Sequence, residues 1–188
     1  MELENDLIAY ESAVEVFARN KTNHVIYNSG EDHARIITVN IFNNAQNKIR
    51  ILAGSLTSKG VADKEIYINS LLNFIITRKG KVEILLDRYF DENIGESINK
   101  SSLFSALSNY KENVTVKGTR KKAMMTGYGE DPQTPRPIHF CLGDDHMYRL
   151  EYDTFARKAF CNFNDASFTE RCIAAFDSNF QDATLHQL

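Results

Sequence analysis

The most constraining feature of this sequence is a strand–helix–strand unit over residues 48–87. Its first part, KIRILAGSL (48–56), is a β-branched run that stops at a Gly-Ser pair, as a buried strand does. Residues 63–79 have apolar residues at helical spacing, a possible N-cap at Asp63 and basic residues at the end. KVEILLD (81–87) is a second apolar run, and the connection between the two is long enough for a parallel crossover. The unit places the chain in the α/β class.

The rest of the chain continues the alternation of helices and strands. The further elements that the patterns predict are helices at 5–18, 32–44 (with Asp32 as N-cap), 99–110 and 166–182, and strands at 113–118, 138–143, 146–152 and 158–164. Turn residues between the first two late strands predict a β-hairpin, and the last helix closes the domain. A long loop over 118–137 contains all three prolines. We expect an N-terminal helical segment at 1–30 and one α/β domain at 31–188.

Composition excludes several classes of protein. The 188 residues are 43% hydrophobic and 25% charged, which fits one compact soluble domain, and a net charge of −3 excludes a global basic field. The three cysteines form no CxxC pair, which excludes zinc fingers and favours a reduced intracellular protein. The acidic N-terminus lacks a secretory signal, and no apolar stretch is long enough to span a membrane. We therefore expect a cytoplasmic protein.

Chemistry-bearing residues concentrate in the predicted hairpin and in the strand that follows it. His139 stands on the first strand, and Arg149 and Glu151 are two residues apart on the second, so that they share one face. Asn162 and Asn164 stand where the third strand ends. An Arg–Glu pair on an edge hairpin with a backbone-bonded histidine explains the pattern as well as a converging site does.

The order of elements and these residues together resemble the phospholipase D-like superfamily. KIRILAGSL, the 63–79 helix and KVEILLD resemble its opening unit, IHFCLGDD resembles the strand that carries its histidine, and CNFND with the helix after it resembles its asparagine-bearing strand end. The resemblance implies a sandwich with a mostly parallel sheet flanked by helices, followed by the C-terminal hairpin and closing helix. It further implies a phosphodiesterase or nuclease-like enzyme. We expect no cofactor, and we expect no metal site at His139, Asp144, Asp145 and His146, because consecutive residues in a tight turn point apart.

The resemblance also implies roles for individual residues. His139 would be the nucleophile on a phosphodiester. Since the family lysine is absent, we expect Arg149, or Lys158, to supply the phosphate clamp from an adjacent strand and Glu151 to orient His139 or Arg149. Asn162 or Asn164 would bind a phosphate oxygen. The family protonates the leaving oxygen with a second histidine motif, and this chain has one copy, so the resemblance implies a homodimer with two His139 side chains across a two-fold axis.

This sequence departs from the family pattern at three places. Cys141 stands where the family has its lysine, Asp144 falls two residues early for the family aspartate, and no Gly-Ser pair precedes Asn162. A cysteine cannot supply the fixed positive charge that a developing phosphorane needs. The alternative is therefore a degenerate module that binds nucleic acid or a partner protein without hydrolysis.

A short basic run precedes the long loop. Its members are Lys117, Arg120, Lys121 and Lys122, with Met124, Met125 and Tyr128 beside them. Clustered positive charges can contact phosphates, and an aromatic ring can stack on a base. The run is a candidate nucleic-acid contact, although such a run is also common on an ordinary solvated face.

Overall fold

The computed structural model describes the backbone of residues 2–126, 133–154 and 156–188, and the side chains from residue 6 onward. The helices in these ranges are α1 (Glu2–Arg19), α2 (Gly30–Asn44), α3 (Glu65–Arg78), α4 (Ile94–Asn99), α5 (Ser102–Leu107), a 3₁₀ turn (Ser108–Tyr110) and α6 (Ala166–Gln181). The strands are β1 (Ile26–Asn28), β2 (Lys48–Ala53), β3 (Lys81–Leu86), β4 (Val114–Gly118), β5 (Met124–Met125), β6 (Arg136–Pro137), β7 (His139–Gly143), β8 (Met147–Asp153), β9 (Lys158–Asn162) and β10 (Thr184–His186).

Eight of the described strands form one mixed sheet in the order β1-β9-β8-β7-β2-β3-β4-β10. The predicted crossover is confirmed, because β2 and β3 pair in parallel and β4 extends the parallel part. The other neighbouring strands pair antiparallel, including the predicted hairpin of β7 and β8. The α/β class with helices on the sheet is therefore confirmed, and the parallel pairing is limited to these three central strands.

Alternating side chains of the strands build two separate hydrophobic cores. On one face, residues such as Ile51 and Ile84 pack with apolar residues of α1, α2, α3 and α5. On the other face, residues such as Leu52 and Phe140 pack with α6. Since successive residues of a strand point to opposite faces, His139 shares the first face with Cys141.

The first 30 residues contribute to the same structure. Val14 and Ala18 of α1 are buried in the first core, and β1 pairs with β9 at one edge of the sheet. The boundary at residue 30 stays a prediction, and a separately folding segment before it has no support in these contacts.

The predicted N-caps are wrong. Helix α2 starts after Ser29, while Asp32 pairs with Arg35 one turn further along. Helix α3 starts after Lys64, while Asp63 accepts a hydrogen bond from the Ser101 hydroxyl at 2.8 Å. The carboxylate predicted to cap each helix therefore binds another side chain: Asp32 pairs within its own helix, and Asp63 binds a residue from a distant part of the chain.

Other differences concern short elements. The predicted helix at 99–110 corresponds to α5 and the 3₁₀ turn. It starts later than predicted, because the extended backbone of Ser101 separates it from α4. Within the predicted loop 118–137, β5 and β6 pair antiparallel, and residues 127–132 lie outside the described residues. No helix in the described ranges has the length and apolar character needed to cross a membrane.

Candidate functional site

His139 lies at the floor of a cavity of about 250 Å³ at the carboxyl ends of β2 and β3. The loop after β2 covers this end of the sheet, and Ser55, Thr57 and Ser58 line the cavity beside His139. A Cβ at Gly54 would lie 3.1 Å from the Cδ atom of Arg88, a close approach, and 3.5 Å from the Cε1 atom of His139, an ordinary contact. Hydroxyl groups and an imidazole therefore share the lining of the cavity with apolar side chains.

Asp87 fixes the orientation of the His139 ring. Its position directly after β3 brings its Oδ2 atom to 3.2 Å from the Nε2 atom of His139, and its side chain is only 3% exposed. A carboxylate oxygen can only accept a hydrogen bond, so in this contact the N–H group of Nε2 donates the hydrogen bond and Asp87 accepts it. The other ring nitrogen, Nδ1, faces the Oε1 atom of Glu151 at 3.9 Å, beyond hydrogen-bond distance.

Arg149 is buried and lines the same cavity as His139, and each of its three guanidinium nitrogens donates a hydrogen bond to another protein group. Its Nη1 atom donates to the Oε2 atom of Glu151 at 2.9 Å, and its Nε atom donates to the side-chain oxygen of Asn28 at 3.1 Å. Its Nη2 atom donates to the main-chain oxygen of Arg157 at 3.4 Å. The strand register explains why these residues lie together: His139 pairs directly with Glu151 across the hairpin, and Arg149 is two residues away from Glu151 on the same face.

Cys141 stands two residues after His139 on the same strand but lies in the core. Burial raises the pKa of its thiol to about 12, although the charge of Arg149 lowers it in part. The thiol is therefore neutral at physiological pH, and no positive charge replaces the family lysine at this position.

Asn162 and Asn164 do not meet His139. In the register of β8 and β9, Asn162 lies opposite Tyr148, three residues from the Glu151–Ala159 pair, or about 10 Å along the strand. The side chain of Asn162 donates to Asn23 and accepts from the main-chain N–H of Asn164, at 2.8 Å in each case. These two asparagines therefore lie near the turn end of the hairpin, where the side chain of Asn162 forms structural hydrogen bonds.

The basic run lies near the carboxyl end of β4, at the same end of the sheet as His139. Lys117 donates to the main-chain oxygen of Phe180, and Lys121 pairs with Asp182. Arg120 lies over the ring of Phe90 at 4.7 Å from its centre. Lys122 is exposed, and Tyr128 lies outside the described residues.

The sequence analysis missed several members of the site. Asp87 had a visible signal, since a carboxylate at the carboxyl end of a parallel strand lies where ligands bind in α/β sheets. Arg88 and Phe90 follow it in the same loop, and Arg88 lines the cavity. Asn28 and Arg157 contact Arg149 from other parts of the chain, and no local sequence pattern predicts these contacts.

The chain has no match among protein-family models or curated proteins. Among solved structures it is similar to Nuc from Salmonella typhimurium, a phospholipase D family member, with 13% identity and a TM-score of 0.59 over 89% of this chain and all of the other. It is also similar to NucT from Helicobacter pylori, with 11% identity and a TM-score of 0.54 over 88% of this chain and 100% of the other.

A further similar structure is TrmBL2, an archaeal chromatin protein that shows a novel mode of DNA binding. The identity is 17% and the TM-score 0.57, over 97% of this chain but 63% of TrmBL2, so this chain spans less than two thirds of that protein. At such identities the likeness shows the fold, and the fold of this chain is phospholipase D-like, as the resemblance implied.

Proposed function

We propose that this chain, with its phospholipase D-like fold, is a module that binds nucleic acid without hydrolysing it. The observation that carries the proposal is the state of the His139 cavity: its nucleophile position faces a carboxylate, and its buried guanidinium is already bonded to protein groups.

Hydrolysis through His139 would need an imidazole lone pair directed at the phosphate and a cation for the phosphorane oxygens. In this site Nε2 donates a hydrogen bond to Asp87, and Nδ1 faces the Oε1 atom of Glu151 at 3.9 Å. Arg149 is held by Glu151 and Asn28. In the phosphodiesterase alternative a dimer brings in a second His139. Before a phosphate can bind there, Glu151 must move away from Nδ1 and Arg149 must be released. Both rearrangements cost buried hydrogen bonds to charged groups.

Nucleic-acid binding is favoured by a surface beside the cavity that we call the basic rim. It consists of Arg88, Phe90, Arg120, Lys121 and Lys122. Phe90 is 39% exposed, and the guanidinium of Arg120 lies over its ring. An exposed aromatic ring among positive charges is a common way to bind the bases and phosphates of a nucleic-acid strand. The DNA binding of the structurally similar TrmBL2 adds support for this class of partner.

The test is a binding titration with a labelled single-stranded oligonucleotide at several salt concentrations. Replacing Arg120 and Lys122 by alanine should weaken binding roughly tenfold at low salt and reduce the slope of log K against log salt by about 1.4, on the basis of about 0.7 per single-strand phosphate contact. The matched control replaces Arg78 and Lys111, two exposed basic residues near the other ends of β3 and β4. Equal losses in both variants would refute a specific rim.

The same samples test the absence of hydrolysis. The wild-type chain and the His139→Ala variant should bind the oligonucleotide equally and leave it, and a small phosphodiester such as bis-p-nitrophenyl phosphate, intact. Cleavage that disappears in His139→Ala would overturn the non-catalytic proposal and establish the phosphodiesterase alternative.

A further inference from the structure

Each of the three arginines that line the His139 cavity is paired with a carboxylate. The pairs, with their N–O distances, are Arg88–Asp91 at 2.8 Å, Arg149–Glu151 at 2.9 Å and Arg157–Glu31 at 3.2 Å. An anion such as phosphate has to compete with these carboxylates for the guanidinium groups, and a cation has to compete with the guanidinium groups for the carboxylates. The paired charges therefore favour a neutral polar ligand over either kind of ion.

Hydroxyl groups and apolar side chains line the cavity together. We call the hydroxyl groups of Ser55, Thr57 and Thr154 the hydroxyl wall, and two of them, on Ser55 and Thr57, lie 2.9 Å apart. A hydroxyl group can donate or accept a hydrogen bond, so this wall can bind both donors and acceptors on the edge of a ligand. The apolar side chains of Ile51 and Val61 can contact the faces of a flat ring. The lining therefore suits a heteroaromatic ring with polar edges.

The size of the cavity limits such a ligand to one small ring system. Cavities that hold drug-sized ligands typically have about 300–1,000 Å³. The His139 cavity has about 250 Å³, which lies just below this range. A single nucleobase is a flat, neutral ring system that is smaller than a drug-sized molecule, and its edge has both hydrogen-bond donors and acceptors. Size, charge and lining therefore agree on a nucleobase.

The cavity and the basic rim share Arg88. This residue lines the cavity, and Phe90, which is 39% exposed, follows it by two residues. Two peptide units separate their Cα atoms by at most about 7.6 Å. A nucleic-acid strand that contacts the rim therefore passes beside the cavity and has a base within reach of it.

We propose that the His139 cavity receives one unpaired nucleobase of the strand that binds the basic rim, with the edge of the base bonded to the hydroxyl wall. This inference rests on the proposed nucleic-acid binding and names the group that the cavity recognises. It differs from phosphate binding at the family's histidine, since the bound group is neutral. The base contacts the wall rather than the imidazole at the floor, so His139→Ala keeps these contacts.

The test compares a short labelled oligothymidylate with an abasic strand of equal length, which keeps the phosphates and lacks the bases. Fluorescence anisotropy measures the affinity of both strands for the wild-type chain and for Thr57→Trp, in which an indole fills part of the cavity. Thr57→Trp should bind the intact strand at least about fivefold more weakly than wild type, because one bound base is lost. The two proteins should bind the abasic strand equally.

The matched control is Thr77→Trp, which adds the same ring at an exposed position of α3 and should bind both strands like wild type. Circular dichroism shows whether each variant folds. If Thr57→Trp does not fold, Thr154→Trp takes its place, because Thr154 lines the cavity from the end of β8.

The outcomes separate this inference from the proposed function. Equal losses for the two strands in Thr57→Trp, or an unchanged affinity of this variant for the intact strand, would overturn the base pocket and leave nucleic-acid binding at the rim standing. A wild-type chain that binds neither strand would refute nucleic-acid binding itself, and the base pocket with it. A loss confined to the intact strand and to the variant that fills the cavity would establish the pocket.

Discussion

Both ends of the β7–β8 hairpin have acidic residues, but the carboxylates at the two ends differ in how many hydrogen bonds they accept. At the turn, the carboxylate of Asp144 accepts three main-chain hydrogen bonds from residues 46–48, at 2.8, 2.8 and 3.0 Å. At the open end, Glu151 and Asp87 each keep one oxygen without a hydrogen-bond partner among the described residues. The turn end is saturated and structural, whereas the open end has unused hydrogen-bonding capacity beside a cavity.

This difference shows that residue type alone does not identify a site. The acidic turn and the Asn162 strand end resemble a family motif in part, yet their polar groups bond to main-chain and side-chain groups of the surrounding protein. The functional candidates are the groups whose hydrogen-bonding capacity the fold leaves unused. The following predictions test this contrast between the two ends.

The largest effect is expected at the open end, from Arg149→Met. Removing the guanidinium leaves the buried carboxylate of Glu151 without its partner, which typically costs about 3–5 kcal/mol. Urea unfolding followed by circular dichroism measures the change in the free energy of unfolding.

The double variant Arg149→Met/Glu151→Met is the control for this experiment. It removes both charges, so its free energy of unfolding should lie closer to wild type than that of the single variant. A single variant within 1 kcal/mol of wild type would show that Glu151 does not depend on Arg149.

A smaller effect is expected at the turn end, from Asp144→Ala. The change removes three hydrogen bonds to a charged acceptor and places alanine in a left-handed conformation, at φ +53°. Because the site is partly exposed, we expect a loss of about 2–3 kcal/mol in urea unfolding.

Asp144→Asn is the matched variant. Asparagine tolerates the left-handed conformation and keeps one acceptor oxygen, so it should lose about half as much stability. Equal losses in the two variants would mean that the carboxylate charge, rather than the hydrogen bonds and the backbone conformation, stabilises the turn.

Most of the fold was predictable because its elements have strong local patterns. The crossover from β2 to β3, the late hairpin and α6 follow from apolar periodicity and turn residues, and all are observed. The edge strands β1 and β10 were missed, since three-residue strands have no periodicity to detect and form only through tertiary pairing.

The site was predictable only in part, for a related reason. The proximity of His139, Arg149 and Glu151 follows from strand alternation once the register of the hairpin is known. Asp87 and Asn28 come from distant parts of the chain, and only the sheet order brings them to the hairpin. Whether a polar group is saturated depends on all these partners together, which a single sequence does not specify.

The smallest effect is expected from His146→Ala, at the turn. The hydrogen bond from the His146 ring lowers the pKa of Asp145 below its usual value, and slight burial opposes this shift. Removing the imidazole should return the pKa of Asp145 toward the ordinary range, as a carboxyl ¹³C NMR titration would measure. A group with a lowered pKa stabilises the fold above its unfolded pKa and loses that contribution as the pH falls through its folded pKa.

The wild-type advantage over His146→Ala should therefore be present at neutral pH and vanish in acid. It should be small, because the Asp145 side chain is 86% exposed and water screens the interaction. An unchanged Asp145 pKa in the variant would contradict the hydrogen bond. A large loss of stability would instead show that this exposed hydrogen bond contributes strongly to the stability of the turn. The turn would then depend on more than the main-chain hydrogen bonds of Asp144, contrary to the comparison drawn above.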